Sequence, residues 1–421
     1  MTELYRNPNE NAEEYAPAEP ITQETPSPLD IDRDWLVGVL VRLLQTPSPT
    51  GRTDAVMQFV GDMFTRLGVP FTLTRRGALV AELPGEPSPA DTAERAIVVH
   101  ADTIGCMVQR LKPNGRLELT PIGTHSARFA AGARVKLFVD GPDRVYTGTV
   151  LPLMASGHRY NDAVDSQPGD WEHVELRIDE PAENIEDLRR LGVQVGDFVA
   201  LVATPEVTDS GYIVSRHLDG KAGVAAALAV AKAITENGIV LPHKTNIMVT
   251  ISEEVGHGAS HGLVDSVAEL VSLDNAVVAP EQESIEDGVT LLMADLHGPY
   301  DYHLTRRLHS LAHSGDIPCV RDVFRHYRSD AAAAIEAGAG TRAALLGFGV
   351  DGSHGWERTT IASVEAVARL VTMWLRTKLT FAKWDASPEG ELEGFPSALQ
   401  PAPVERWTRL APDEHPAGQD D

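Results

Sequence analysis

KAGVAAALAVAKAITENGIVLPHKTNIMVTISEE, Lys221 to Glu254, holds the fold in one passage. Its first half is dense in alanine, leucine and valine and free of proline, which predicts a helix over KAGVAAALAVAKAITENG. The second half, KTNIMVTISEE, is a β-branched run that ends in two carboxylates. A helix feeding a buried strand is half of a parallel α/β unit.

Working outward, the alternation continues. DRDWLVGVLVRLLQ and TDAVMQFVGDMFTRLG carry apolar stripes at helical spacing, and Gly68 closes the second. FTLTRRGALVAEL and RAIVVHADTIG read as strands. Downstream, NAVVAP and RAALLGFGV are strands, and YHLTRRLHSLAHSG and IASVEAVARLVTMWLRTKL are helices. The expected fold is α/β: a mixed, mostly parallel sheet flanked by helices. The stretch from about 109 to 204 differs. It is strand-rich (RLELTPIG, ARVKLFV, RVYTGTVLPL, HVELRID, GDFVALVA), and Val174, Leu176 and Ile178 alternate with polar residues. It reads as a small β-barrel domain, for assembly, inserted into a discontinuous catalytic domain at 31–108 and 205–385. Residues 1–30 and 386–421 are rich in Pro and acidic side chains and are expected to be disordered tails. Phe395, Trp407 and Leu410 in the second offer apolar anchors for docking.

Composition excludes several functions. With 61 acidic against 36 basic side chains, a net charge of −25 argues against nucleic acid and anionic membranes as partners. Two cysteines, Cys106 and Cys319, make neither a disulfide framework nor a thiolate metal cage. No stretch is apolar for the length of a membrane span, and the N-terminus lacks the basic start and apolar core of a secretory signal. The expected location is the cytoplasm.

Open parallel sheets gather ligands at the carboxyl ends of their strands. There the sequence offers His100 and Asp102, Asp219 ahead of a helix, Glu253 and Glu254, Glu281 after NAVVAP, and His354 with Asp351 and Glu357 near it. Asp274 precedes NAVVAP and is expected at the opposite edge. Singly, each has an ordinary reading: an Asp before a helix is most often an N-cap, and a strand-end His or Glu a solvated loop residue. As a set they make a nitrogen-and-carboxylate ligand group without thiolates, which suits zinc first, then cobalt or manganese. Five ligands suit two metal ions sharing a bridging carboxylate. Adjacent glutamates on alternate faces of a strand end can divide the work, one holding a metal and one acting as base. Asp102, two residues beyond His100, is placed to orient that imidazole.

These motifs resemble the tetrahedral and glutamyl aminopeptidases, a family of dinuclear metallopeptidases, over about 31 to 385. VHADTIG is similar to the family's first metal motif, HLDGKAG to its bridging-aspartate motif and SEEVGHGA to its glutamate pair. NAVVAPE and GSHGWE resemble its last two ligand segments, and YRSDAAAA a segment ahead of the final ligand. The resemblance implies that His100 and Glu281 hold one metal and Glu254 and His354 the other. It implies Asp219 as the bridge and Glu253 as the general base. It also implies a β-rich insertion used in assembly, and a dodecamer of tetrahedral shape built from dimers. The chain departs from the family at Gly220, where a second Asp is common, and at Glu281, where an Asp is usual. The branch it most resembles is linked with systems that make the osmoprotectant N-acetylglutaminylglutamine amide, which suggests a small glutamine-derived dipeptide as context.

Three functions compete. The first is an aminopeptidase cleaving the N-terminal bond of short peptides. The second is a deacylase of N-acyl amino acids or dipeptide amides with the same chemistry. The third is a non-hydrolytic peptide-binding protein, against which Glu253 speaks because a binding protein needs no base. CVRDVFRHYRSD concentrates Arg321, Arg325, His326 and Arg328 in an acidic chain. It reads either as an anion pocket or, with more weight, as ion pairing at a subunit contact.

Overall fold

The computed structural model describes residues 25–86, 93–141, 144–381 and 384–387. The remainder of the two expected tails, with Phe395, Trp407 and Leu410, lies outside them. Within the described residues a 12-stranded mixed sheet forms the body. Its centre is four parallel strands in the spatial order Thr245–Thr250, Glu94–His100, Val267–Val278 and Arg342–Asp351. Antiparallel strands flank them: Leu79–Leu83 on one side, and Val289–Asp295 and Glu357–Thr360 against Arg342–Asp351.

The two faces of the sheet follow the period of two. Ile97, Val99, Ile247 and Val249 enter the large core beneath the helices Arg33–Gln45, Leu218–Glu236 and Ile361–Leu375. Ala96, Val98 and Met248 point the other way and meet Ala331 and Ala334 of the short helix Asp330–Glu336. The alanine-rich helix lies between the sheet and its two neighbouring helices, and all but a few of its residues are buried. Small side chains on every side let a helix be buried all round. Asp32 and Asp301 cap the helices Arg33–Gln45 and Tyr302–Ser314, their carboxylates accepting from first-turn amides.

The inserted segment is a closed antiparallel barrel of six strands. Their spatial order is Gly105–Leu111, Leu117–Ile122, Val174–Ile178, Val145–Pro152, Arg134–Phe138 and Phe198–Leu201. Leu117, Leu119, Val135, Leu137, Val150, Leu176 and Val199 fill it. Its first strand begins at Gly105, nearer the His100 strand than the sequence suggested, so the barrel leaves the sheet directly beside the ligand-bearing edge.

Two readings need correction. The glutamates are not on a strand end: the strand stops at Thr250, and Glu253–Val255 is a single 3₁₀ turn. Asp274 is not at the far edge: its strand runs Val267–Val278, so Asp274 stands in the carboxyl half. The parallel pairing reaches Ser272 opposite Val98, and two residues further along each strand stand Asp274 and His100. Among the described residues no helix is long and apolar enough to cross a membrane.

Candidate metal centre

Asp219 sits at the middle of the site. It lies at the entry of its helix in a non-helical conformation, and the peptide bond to Gly220 is cis. Its carboxylate faces both ways: Oδ1 is 3.0 Å from His100 Nε2 and Oδ2 is 3.2 Å from His354 Nε2. Asp274 Oδ1 lies 3.6 Å from the same His100 nitrogen, and Glu254 Oε2 3.5 Å from the same His354 nitrogen. Two ligand groups result, His100–Asp219–Asp274 and Asp219–Glu254–His354, with Asp219 in common. Gly220 stands close to the site: a Cβ there would be 2.2 Å from His100 Nε2, so a larger residue would need the imidazole or the backbone to shift.

A ring of supporting contacts fixes these donors. His100 Nδ1 lies 3.1 Å from the Asp102 backbone carbonyl and 3.6 Å from the Asp102 carboxylate. The stronger duty of the Asp102 side chain is elsewhere: it accepts from the amides of Glu253 and Glu254 and from Thr50, so it holds the glutamate turn. Glu357 accepts from the amides of both Asp219 and His354. Asp330 accepts from Thr250 Oγ1 and the Ala259 amide, pinning the strand and loop on either side of the glutamates. Gly258 leaves room for it, since a Cβ there would meet Asp330 Oδ1 at 2.2 Å. The barrel contributes too. The Ile104 amide donates to Glu254 Oε1, and the Thr124 carbonyl lies 2.7 Å from His354 Nδ1.

The electrostatics describe a site short of positive charge. Burial raises the Glu254 carboxyl to about 8 against the pull of His354, with Asp219 and Asp102 adding repulsion. Burial likewise lifts Glu357 to about 7 and Asp330 to about 6. The Glu253 carboxyl is pushed well up by burial and by Asp274 and Asp330, with His100 opposing. Burial disfavours charge on the histidines, yet carboxylate partners prevail: His354 rises to about 10 and His100 well above its ordinary value. Acidic side chains so enclosed need cations or protons. Imidazole nitrogens and carboxylate oxygens converging in two groups are the donor set for divalent metal ions, so these residues fit the pair the sequence implied.

A model of the M42 glutamyl aminopeptidase family matches residues 77–370. The chain belongs to the M42 glutamyl aminopeptidase family. "Putative aminopeptidase YhfE" of Bacillus subtilis is 33% identical over 341 residues, covering 81% of this chain and 97% of that protein. Among solved structures, a TET aminopeptidase from the marine sediment archaeon Thaumarchaeota archaeon SCGC AB-539-E09 matches with a TM-score of 0.73 at 18% identity. That match covers 82% of this chain and 96% of that one. The Pyrococcus horikoshii TET1 peptidase, which can assemble into a tetrahedron or a large octahedral shell, matches with a TM-score of 0.70 at 20% identity, covering 81% and 99%. At these identities the structures establish the shared fold: a mixed sheet with helices and a six-stranded barrel.

In this aminopeptidase His100, Asp219, Glu254 and His354 converge as the sequence suggested. Glu281 does not join them. It is exposed, has φ of 71° in the turn that follows its strand, and lines the cleft wall. Asp274 takes its place in the first group. The cleft over the centre has a volume of about 1230 Å³, with Asp219, Glu253, Glu254, Asp274 and His354 on its floor. Arg325, His326 and Arg328 line its wall and Arg321 does not; Arg328 pairs with Glu336. The sequence reading gave no role to Glu357, Asp330 or Asn275, whose amide donates to Asp219 Oδ2 at 2.6 Å. The resemblance of YRSDAAAA carried the one available signal for Asp330.

Proposed function

We propose that this aminopeptidase is a two-metal enzyme that removes the N-terminal residue of short peptides. The observation that carries the reading is the split Asp219 carboxylate, one oxygen toward each ligand group. His100 and Asp274 would complete one ion and Glu254 and His354 the other, with Asp219 shared. Such a pair supplies Lewis-acid polarisation of a carbonyl and acidification of a water when bound.

The chain's own residues do the rest. Glu253 stands beside both groups on the cleft floor and, in this reading, takes the proton from the attacking water and passes it to the leaving amine. Its carboxyl is raised well above its ordinary value, chiefly by burial, which favours its taking up a proton. Asp102 keeps it in place through the Glu253 amide.

Zinc is the ion proposed first, with cobalt or manganese able to use the same donors. The cytoplasm is the proposed compartment. Assembly into dimers and a tetrahedral dodecamer through the barrel insertion is proposed from the TET relatives, one of which is a dodecamer. A glutamine-derived dipeptide of osmoprotectant metabolism is proposed as context on the sequence resemblance alone.

The test is metal content beside hydrolysis of free and N-acetylated dipeptides, before and after chelation. Two ions per chain and chelator-sensitive cleavage of free N-termini are expected. In the same assay Glu253→Gln should lose about 10²–10⁴-fold in kcat and keep its metal. Cleavage of acetylated substrates alone would transfer the site to a deacylase. Full activity in Glu253→Gln would remove that residue as the base.

A further inference from the structure

Tyr327 follows the strand Cys319–Val323 and reaches the same cleft as the carboxylates. Its ring is held from two sides. It packs against Phe324 with centroids 5.4 Å apart, and against a cluster that includes Ala276 and Leu345. Its backbone carbonyl accepts from the Leu296 amide at 3.0 Å. Yet its hydroxyl is buried and has no hydrogen-bond partner in the protein. Buried hydroxyls are seldom left so, because the lost hydration is not replaced. The charges it senses are those of Asp274, Asp219 and Glu253. The hydroxyl is therefore near the centre and within hydrogen-bond reach of none of it.

The polar groups around it explain what it lacks. Asp219, Glu253, Glu254 and Asp274 offer acceptors only when ionised. The Asn275 amide is committed to Asp219, and the His354 Nδ1 faces the Thr124 carbonyl. Burial first, then the neighbouring carboxylates, raise the phenol well above its ordinary value, which favours its proton-bearing form. A donor held by its ring packing and without a partner in the protein thus belongs to a cleft floored by carboxylates.

We propose that the Tyr327 hydroxyl donates a hydrogen bond to the carbonyl oxygen of the scissile peptide bond, and that this bond strengthens as that oxygen becomes an oxyanion. The inference rests on the two-metal aminopeptidase reading and adds a catalytic residue to it. In the step, the water oxygen bonds to the carbonyl carbon and its proton goes to Glu253. The carbonyl π pair moves onto the oxygen that Tyr327 contacts. Collapse breaks the C–N bond, and the proton held by Glu253 goes to the amine. Tyr327 keeps its own proton throughout. A preorganised donor aimed at developing charge costs nothing to reorganise during the reaction.

The experiment compares the full chain with Tyr327→Phe, both metal-loaded, on a free-N-terminal dipeptide. Affinities are measured for a phosphinic dipeptide analogue, whose tetrahedral oxygens mimic the oxyanion, and for the product amino acid. The expected result is a loss in kcat of about 10²-fold, with KM little changed. Phosphinate affinity should fall by a similar factor while product affinity and metal content hold. Phenylalanine keeps the ring packing and deletes an unpaired group, so thermal stability should not fall. Activity within twofold of the unaltered chain would overturn the proposal, as would equal loss of affinity for product and phosphinate. A variant that does not fold would also overturn it, by showing the hydroxyl to be bound within the fold. Failure of the underlying reading would look different: the unaltered chain would show no chelator-sensitive hydrolysis.

Discussion

Asp274 and Glu281 differ by seven positions and by everything that matters to a ligand. Asp274 is 2% exposed, its Oδ1 accepts from the Asn275 amide at 2.7 Å, and that oxygen stands 3.6 Å from His100 Nε2. Glu281 is exposed on a turn. Asp274→Ala should therefore lose one metal and nearly all turnover, and Glu281→Ala should keep both ions, as read by metal analysis of the purified variants. Metal loss in Glu281→Ala with Asp274→Ala intact would reverse the assignment. The difference between the expected and the observed placement of these two carboxylates has a physical source. NAVVAP reads as a strand by itself because its apolar run begins at Asn275. The true strand starts at Val267 and buries Ser272, Asp274 and Asn275 between parallel neighbours, where alternation carries no signal. His100, Asp219, Glu254 and His354 were legible because each follows a strand or precedes a helix at an edge that sequence can place. Tyr327 was not, since one tyrosine in a basic loop has no pattern.

At the scale of elements, the opposite end of the sheet is tied by one buried ion pair. Arg95 opens the His100 strand and Glu269 lies near the start of the Asp274 strand; their side chains are 2.8 Å apart and wholly buried. Arg95 also donates to the carbonyls of Trp374 and Thr377, and Glu269 accepts from Trp374 Nε1 and the Thr380 amide. The pair thus fastens the end of the helix Ile361–Leu375 to the two strands that carry His100 and Asp274. Burial pushes the Glu269 carboxyl up, but Arg95 and the hydrogen bonds from Thr380 and Trp374 prevail and leave it below its ordinary value. A lowered carboxyl stabilises above the ordinary value and loses that contribution as pH falls through its own. Glu269→Gln, which strands a buried guanidinium, should cost about 3–5 kcal/mol at neutral pH. The gap to the unaltered chain should close below about pH 4, in denaturant melts. A variant as stable as the parent at pH 7 would show the pair to be dispensable. Sequence composition could place the strands and helices but not this fastening, because Arg95 and Glu269 are 174 positions apart. The same holds for the barrel. Its strand pattern was readable, whereas its delivery of the Ile104 amide and the Thr124 carbonyl to the centre was not.

For the whole molecule, the excess of acid is partly an interior property. Asp102, Asp219, Asp274, Asp330 and Glu357 are each no more than 5% exposed. Without cations the fold must hold protons there instead. Glu254 at about 8, Glu357 at about 7 and Asp330 at about 6 all sit above the carboxyls of an unfolded chain. As pH rises past about 4 the unfolded chain releases protons that the metal-free fold retains, so metal-free stability declines up to about pH 8. His354, raised to about 10, acts in the same direction: its contribution is full below about 6.5 and is lost as pH climbs toward 10. Asp219, opposed by burial but held low by His100 and His354, works the other way, and its contribution is lost only in strong acid. Cations replace those protons, and their binding adds stability by mass action. Chelated protein should therefore melt at progressively lower temperature from pH 5 to pH 8, while metal-loaded protein changes little and the gap between them widens. A gap that is constant or narrows over that range would mean that the buried carboxylates are not where the metal binds.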